Sequence, residues 1–299
     1  MIFPKHIQAG DRIRIVSPAG KVDLKKLMPG VELLKEEGFE VILSEHVAGN
    51  HFQFSGTEEE RLNDLQLALD DDQCQAIICA RGGYGSIRIM DQLDLTALKT
   101  VPKWLVGFSD VTNLHCLFQK EGIASIHGAM PGFYLKADQP NESFRQLIQM
   151  LKGELLTTQT EASPLNREGN CRGQLTGGNL SIIYSLLGTP YEIDTAGKIL
   201  FIEDLSEYLY HLDRMMHSLK LAGKFEQLAG FVVGQFSDMK DNDSPFGQSV
   251  EEIILNAVKD YNFPVCFNFP AGHVDRNLPL ICGRTYELEV DSKGSLIMS

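Results

Sequence analysis

Apolar and polar positions in the first half of the chain form two patterns, short apolar runs and amphipathic stretches. The run at 75–80 is almost wholly apolar, which is typical of a strand covered on both faces. Thr57 and Glu60 have the spacing of a helix-capping box, and Leu62, Leu65 and Leu69 follow at helical spacing, which predicts a helix with these three leucines on its buried face. This alternation of strands and helices predicts a parallel, wound α/β sheet. The strands predicted for this half are 12–18, 40–43, 75–80, the run ending at Gly107, and 124–127. The predicted helices are 24–37, interrupted or begun at Pro29-Gly30, the one after Thr57, one ending near Leu93, and one ending near Gly122.

Residues 152–170 lose this periodicity and collect Thr, Ser, Pro, Asn, Gly and charged residues. We therefore predict an N-terminal α/β domain over residues 1–155 and a C-terminal domain over residues 168–299. The second domain mixes its patterns, because its tail, 278–298, alternates in a way that predicts antiparallel hairpin strands. A barrel-like sheet with helices fits this mixture. Its other predicted strands are 198–202, 230–235 and 264–269, and its predicted helices are 180–187, 208–221 and 249–261.

The charge and composition of the 299 residues narrow the class of protein. The net charge of −13 argues against a nucleic-acid partner, because phosphate binding needs clustered Lys and Arg. No segment has the apolar length that spans a bilayer, and Met1–His6 lacks the pattern of a signal peptide. The six cysteines form no Cys-x-x-Cys pair and are expected to be reduced. We therefore expect a cytoplasmic protein without a membrane partner.

The stretch Trp104–Asn113 carries the first candidate for chemistry. An apolar run ends at Gly107, Ser109 follows, and a helical pattern begins, which predicts a strand, a tight turn and a helix. A serine at such a turn is a candidate nucleophile, because free N–H groups at the helix start can stabilise an oxyanion beside it. The alternative is that Ser109 or Asp110 only caps the helix.

A serine nucleophile needs a base and a group that orients the base. His115 lies on the helix that leads away from Ser109, His127 ends a strand, and His273 follows a strand where α/β ligand sites gather. For the acid, Glu203 and Asp204 directly follow the predicted strand 198–202. A structural histidine, and a capping role for either carboxylate, remain the alternatives.

Two glycine-rich segments follow predicted strands. Arg81–Ser86 fits neither the dinucleotide nor the P-loop pattern, so we interpret it as a loop of backbone donors facing Ser109. Gly177–Asn179 could serve the same way in the second domain, or Asn179 could be a helix N-cap. His211 and His217 lack the spacing of two metal ligands on one helix face, and we predict no metal site.

Seven short motifs now stand together in one order along the chain: Ser17-Pro18, Arg81–Gly85, Gly107–Asp110, His127-Gly128, Gly177–Leu180, Ile202–Asp204 and Gly272-His273. In this order, from about residue 12 to about residue 285, the chain resembles the serine-type LD-carboxypeptidases, or muramoyltetrapeptide carboxypeptidases. That family includes the microcin-immunity peptidases. One departure is Ala129, where the family pattern has proline.

The resemblance implies a nucleophile at Ser109, an orienting acid at Glu203 and a base at His273. It also implies an oxyanion hole formed by the backbone N–H groups of Gly83 and Asp110. The first domain would then carry the nucleophile, and the second the acid and the base.

The family resemblance further implies an N-terminal sheet like that of class I glutamine amidotransferases and a C-terminal swivelling β/α/β barrel-like domain. The implied reaction removes D-alanine from a muropeptide tetrapeptide in cell-wall recycling, without metal or cofactor, in a homodimer. Our candidates for substrate binding are Arg81, Tyr84 and Asn179. Two alternatives stay open: a microcin-immunity peptidase that cleaves aminoacyl-nucleotide amides, and a non-catalytic two-domain solute-binding protein.

Overall fold

The computed structural model describes residues 1–134, 142–154, 157–291 and 294–298. Its strands, numbered in chain order, are β1 (Arg12–Val16), β2 (Glu40–Leu43), β3 (Cys74–Cys79), β4 (Trp104–Gly107), β5 (Ser125–His127), β6 (Thr157–Glu161), β7 (Gly169–Asn179), β8 (Ile199–Leu205), β9 (Gly230–Ser237), β10 (Val265–Cys266), β11 (Leu280–Cys282), β12 (Thr285–Asp291) and β13 (Gly294–Met298). Its α-helices are α1 (Leu24–Glu36), α2 (Glu58–Asp70), α3 (Thr112–Lys120), α4 (Pro131–Tyr134), α5 (Glu142–Leu151), α6 (Leu180–Ser185), α7 (Leu209–Leu221) and α8 (Val250–Val258).

The chain divides into two compact units. The first comprises Met1–Glu154 and Asp275–Gly283, and the second comprises Leu155–Val274 and Arg284–Ser299. The sequence-based ranges assigned every residue after 168 to the second domain, so the structure differs at 275–283. The physical reason is strand pairing, because β11 lies antiparallel to β5 and covers an edge that β5 would otherwise expose.

The first unit contains a six-stranded sheet in the order β11-β5-β4-β3-β1-β2. The pairs among β1 to β5 are all parallel, as the alternating pattern predicts, and only the β5–β11 pair at the edge is antiparallel. All residues of β4 and β5, and all of β3 except Gln75, are buried. Burial of consecutive residues means that both faces of these strands are covered, so the apolar runs mark the centre of the core.

The helices of the first unit differ from the prediction in three places. Pro29 lies inside α1, which continues through it. In α2 the capping box of Thr57 and Glu60 is present, but Leu62 is only half-buried beside the buried Leu65 and Leu69. The helix predicted to end near Leu93 is replaced by the short 3₁₀ turns Ser86–Arg88 and Met90–Gln92. The N–H of Ser86 there bonds to a carboxylate from another part of the chain, which favours a local turn over a continuous helix.

The second unit contains a seven-stranded sheet in the order β10-β9-β8-β7-β12-β13-β6. The pairs among β7, β8, β9 and β10 are parallel, and the remaining pairs are antiparallel. Strands β12 and β13 form the hairpin predicted for the tail, and Ser249 with Glu252 forms the predicted capping box of α8. The mixed α/β architecture of the two units therefore agrees with the fold class predicted from sequence. Among the residues described in both units, no helix is long and apolar enough to cross a membrane.

His46 forms an ion pair that should make stability depend on pH. Its Nδ1 lies 3.0 Å from Oδ1 of Asp64, and its backbone N–H donates to Oδ2 at 2.8 Å. The hydrogen bond to Asp64 raises the pKa of His46. The charges of Glu60 and Glu45 add to this rise, and desolvation opposes it. A histidine whose pKa is higher in the folded than in the unfolded protein stabilises the fold. This stabilisation is complete at pH values below the unfolded-state pKa of about 6.5, and it is lost as the pH rises through the folded-state pKa.

We therefore expect the free energy of unfolding of the wild type to fall between pH 6 and pH 8 more than that of His46→Gln. Urea unfolding of both proteins across this range measures the difference. Parallel stability profiles for the two proteins would show that the pair carries no such linkage.

Candidate active site

Ser109 occupies a sharp turn between a strand and a helix. Strand β4 ends at Gly107, a 3₁₀ turn spans Ser109–Val111, and α3 follows. Ser109 is half-buried and has φ of 64°, a left-handed conformation that costs a non-glycine residue about 1–3 kcal/mol. A Cβ on Gly107 would lie 2.8 Å from Cγ2 of Val111, so the tight turn requires glycine there. This geometry is typical of a nucleophile at a strand–turn–helix elbow.

The capping alternative does not hold for Ser109 or Asp110. The residues that precede the 3₁₀ turn and α3 are Phe108 and Val111, and neither makes a side-chain cap hydrogen bond. The Asp110 carboxylate instead accepts hydrogen bonds from the backbone N–H groups of Gly85, at 3.3 Å, and Ser86, at 2.8 Å. The strained turn at Ser109 therefore serves something other than helix capping.

The glycine-rich loop after β3 lies against the Ser109 turn. A Cβ on Gly82 would lie 2.9 Å from Cβ and 3.1 Å from Oγ of Ser109, so only glycine allows this approach. Gly83 is exposed with φ of 111°, and among the described residues its N–H donates to no acceptor. Of the two predicted backbone donors, Gly83 therefore lies on the loop that approaches Ser109, and Asp110 directly follows Ser109 in the chain. Their use as an oxyanion hole remains a prediction.

Asp110 connects the loop to the turn through a buried network. Its backbone carbonyl accepts hydrogen bonds from Ser86 Oγ at 2.7 Å and from Asn113 Nδ2 at 3.1 Å. Burial raises the pKa of the Asp110 carboxyl, and the donors on Ser86 and Gly85 oppose that rise. Sequence reasoning missed this role of the side chain, because its partners lie 24 and 25 residues away.

The predicted substrate-binding residues of the first unit lie on the same loop. Arg81 donates from Nη1 to the carbonyl of Lys21 at 2.9 Å, and no carboxylate of the described chain lies within ion-pair distance of it. Tyr84 is 48% exposed, and its ring centroid lies 6.1 Å from that of Phe54. Both side chains lie beside the loop glycines, and their role in binding remains a prediction.

Two of the three candidate histidines are buried in the first unit. His115 contacts Ser125 Oγ through Nδ1 at 2.8 Å and the Gly107 carbonyl through Nε2 at 2.9 Å. Burial lowers the pKa of His115 to about 4. Both ring nitrogens of His115 are therefore engaged inside the first unit, where the ring supports the end of β4. The buried ring of His127 packs against Phe108, with centroids 5.8 Å apart.

The second unit brings Glu203 and His273 together. Oε2 of Glu203 lies 2.7 Å from Nδ1 of His273, and the two side chains are 0% and 6% exposed. The prediction placed Glu203 after its strand, but β8 extends to Leu205 with a register shift between Ile202 and Asp204. Such irregularities re-aim side chains next to active sites. Gly272 permits the close approach, since a Cβ there would lie 3.1 Å from Cβ of Glu203.

Asp204 has a structural role, which was the alternative considered for each of the two carboxylates Glu203 and Asp204. Its Oδ2 accepts from the N–H of Ser181, and its Oδ1 accepts from Nδ2 of Asn179 at 3.0 Å. Burial, then the neighbouring Glu203, raises the pKa of Asp204 to about 7. Asn179 is the N-cap of α6 and accepts from the N–H of Ile182. The structure therefore separates the two neighbouring acids, one bonded to a histidine and one supporting a helix start.

Comparison with known proteins matches both units to one family. Residues 13–128 match the LD-carboxypeptidase N-terminal domain, and residues 172–288 match the LD-carboxypeptidase C-terminal domain. The probable murein peptide carboxypeptidase of Bacillus subtilis is 34% identical over 301 residues, covering 98% of this chain and 93% of the relative.

Solved structures give the same result. The muramoyltetrapeptide carboxypeptidase of Oxalobacter formigenes superposes with a TM-score of 0.88 at 27% identity, covering 96% of this chain and 98% of that one. The microcin C7 self-immunity protein MccF, in complex with aspartyl sulfamoyl adenosine, has a TM-score of 0.87 at 21% identity, covering 100% and 99%. At that identity the second likeness concerns the fold alone.

A strained serine turn in one unit and a buried carboxylate–histidine pair in the other are the parts from which serine-type peptidases are built. The chain belongs to the LD-carboxypeptidase family. Because this is a family of enzymes, the alternative of a non-catalytic solute-binding protein is no longer supported.

Proposed function

We propose that this enzyme removes the terminal D-alanine from muropeptide tetrapeptides in the cytoplasm, during cell-wall recycling. The single observation that carries the chemistry is the Glu203–His273 contact of 2.7 Å, because it defines an oriented base. The substrate class is supported by the names of the two relatives, a probable murein peptide carboxypeptidase and a muramoyltetrapeptide carboxypeptidase. The homodimer expected from the family is part of the same proposal.

The proposed mechanism uses Ser109 as the nucleophile and His273 as the base. Because Nδ1 of His273 faces Glu203, the imidazole is held with Nδ1–H donating to the carboxylate, and Nε2 takes the Ser109 proton. Ser109 Oγ then attacks the carbonyl carbon before D-alanine. The C–N bond breaks, His273 returns the proton to the leaving amine, and water hydrolyses the ester in a second cycle.

The oxyanion of the tetrahedral intermediate would accept hydrogen bonds from the N–H groups of Gly83 and Asp110. Support comes from the close approach of the loop to Ser109 and from the positive φ of Gly83, which only glycine adopts readily. Backbone donors that are fixed before the reaction stabilise the charge that develops only in the transition state.

A carboxypeptidase must also recognise the free terminal carboxylate of its substrate. A net charge of −13 provides no general attraction for this group, so recognition has to be local. We assign it to Arg81, which has no carboxylate partner among the described residues and precedes the loop that contacts Ser109. Tyr84 and Asn179 are the further candidates for substrate contact, although the Asn179 side chain already caps α6.

The microcin-immunity alternative would require an aromatic platform for a nucleobase. Trp104, the single tryptophan of the chain, is 1% exposed and donates its indole N–H to the Lys5 carbonyl at 2.9 Å. It is therefore a core residue and cannot stack on a ligand. The single tryptophan is thus excluded as that platform, while the exposed ring of Tyr84 is open to either substrate, so the muropeptide proposal is supported by the names of the two relatives.

Three substrates test the proposed specificity: a tetrapeptide ending in D-alanine, its C-terminal amide, and the all-L isomer. We expect one residue to be released, and only from the first substrate, because the other two lack the terminal carboxylate or the D centre. Mass spectrometry of the products measures this directly. Equal rates on all three substrates would identify a general amidase instead.

A further inference from the structure

Arg61 is a buried cation that no part of the proposed mechanism uses. It lies on α2, and the residue is 2% exposed. Its Nη1 donates to the carbonyls of Pro18, at 2.6 Å, and Gly85, at 2.9 Å, and its Nε donates to that of Gly56 at 3.3 Å. Its guanidinium carbon lies 4.9 Å from the ring centroid of Phe54. A single side chain therefore joins the segment after β1, the start of α2 and the glycine-rich loop.

The peptide groups around Gly85 lie between two buried charges. The Gly85 carbonyl accepts from Arg61, while its N–H and that of Ser86 donate to the Asp110 carboxylate. A Cβ on Gly85 would lie 2.8 Å from Nη1 of Arg61, and its φ of 142° also favours glycine. The loop is thus held from one side by a cation on α2 and from the other by an anion on the Ser109 turn.

The guanidinium of Arg61 is buried without a carboxylate partner within ion-pair distance among the described residues. Its Nε and Nη1 donate to carbonyl oxygens. A buried charge is costly to desolvate, and apolar residues of similar volume often stabilise a fold at least as well. Fixing a particular loop geometry is a reason to keep the charge.

We propose that Arg61 and the Asp110 side chain are positioning residues that fix the loop carrying Gly83 against the turn carrying Ser109. Together they set the separation of the two N–H groups assigned to the oxyanion. The inference rests on the proposed function, because it concerns the same oxyanion.

A positioning role predicts a change in kcat without a matching change in KM. The donors act on the charge of the transition state and not on the bound substrate, so their displacement lowers kcat and leaves ground-state binding in place. Loss of packing alone would lower the unfolding temperature and leave the kcat of the folded enzyme unchanged.

Arg61→Lys is the decisive variant, since lysine keeps the charge but cannot reproduce the planar set of donors. We expect kcat for D-alanine release to fall by about 10- to 100-fold, comparable to misplacing a catalytic group, with KM within about twofold. The matched control is Arg167→Lys in the second unit, because Arg167 also donates to three carbonyls, those of Val258, Tyr261 and Phe263. We expect the control to lose thermal stability and to keep kcat within about twofold.

Asp110→Asn, which keeps the shape but removes the charge, tests the other side of the loop. If both residues act through the peptide groups at Gly85, the double variant Arg61→Lys/Asp110→Asn should lose little more than the worse single variant. Independent, multiplied losses in kcat would overturn the shared mechanism.

The outcomes separate the inference from the proposed function. A folded wild type that releases no D-alanine would overturn the proposed function and, with it, the inference. An active wild type with a folded Arg61→Lys variant of unchanged kcat would overturn the inference alone. Equal kcat losses in Arg61→Lys and Arg167→Lys would also overturn it, because general destabilisation would then explain both.

Discussion

Ser109→Ala is expected to lower kcat by about 10⁴- to 10⁶-fold, the usual result of removing the nucleophile of a triad. The reason is chemical, because alanine has no oxygen that can form the acyl-enzyme. The fold should persist, since the backbone hydrogen bond across the turn, from the Val111 N–H to the Phe108 carbonyl at 3.3 Å, does not involve the Ser109 side chain. Steady-state D-alanine release and thermal unfolding, measured on the same preparation, test both parts.

Two further variants make the Ser109 result specific. Ser109→Gly should be equally inactive but at least as stable as Ser109→Ala, because φ of 64° suits glycine better than a residue with a Cβ. Ser185→Ala removes an exposed hydroxyl that bonds to the Ile182 carbonyl, and it should keep kcat within about twofold. A folded Ser109→Ala enzyme with wild-type turnover would remove the serine mechanism.

His273→Ala is expected to be as damaging as Ser109→Ala, and the double variant scarcely worse, because members of a triad act as a unit. The His46→Gln variant is its matched control, since His46 also contacts a carboxylate, that of Asp64 at 3.0 Å. The control should keep kcat within about twofold. If His127→Ala abolished turnover while His273→Ala had a mild effect, His127 would be the base.

Glu203→Gln should lower kcat by at least about 100-fold, but by less than removal of the nucleophile. Glutamine can still occupy the buried position, yet it cannot stabilise the imidazolium that forms when His273 takes a proton. Unchanged turnover in a folded Glu203→Gln protein would show that the 2.7 Å contact only supports the fold.

Much of the fold follows from local patterns in the sequence. The capping boxes at Thr57 and Ser249 depend on residues three apart, and the structure forms both. The apolar run at 75–80 indicates a strand covered on both faces, and β3 is such a strand. Strand β11 is different, because its three residues pair with β5 more than 150 positions earlier, and no local pattern encodes that partner.

The same distinction between nearby and distant partners along the chain applies to the residues of the candidate site. The strand-end position of Ser109 can be inferred from the sequence, because α/β folds gather their sites there. Glu203 was expected after its strand and lies inside β8, because the strand continues past the register shift to Leu205. The roles of Arg61 and of the Asp110 side chain cannot be inferred in this way. Apart from the nearby Gly56 carbonyl, the groups that they hold in and around the loop lie 24 to 43 residues away. One signal was present: Arg61 falls on the same helical face as Leu65 and Leu69, where an exposed arginine is not expected.

The most direct test of the account is the identity of the residue that carries the acyl group. Wild-type enzyme is mixed with the tetrapeptide, quenched with acid within milliseconds, and digested with trypsin. We predict that the peptide Trp104–Lys120 gains the mass of the tripeptide acyl group and that fragmentation places this mass on Ser109. An acyl group on another residue, or undiminished D-alanine release by Ser109→Ala, would contradict the account.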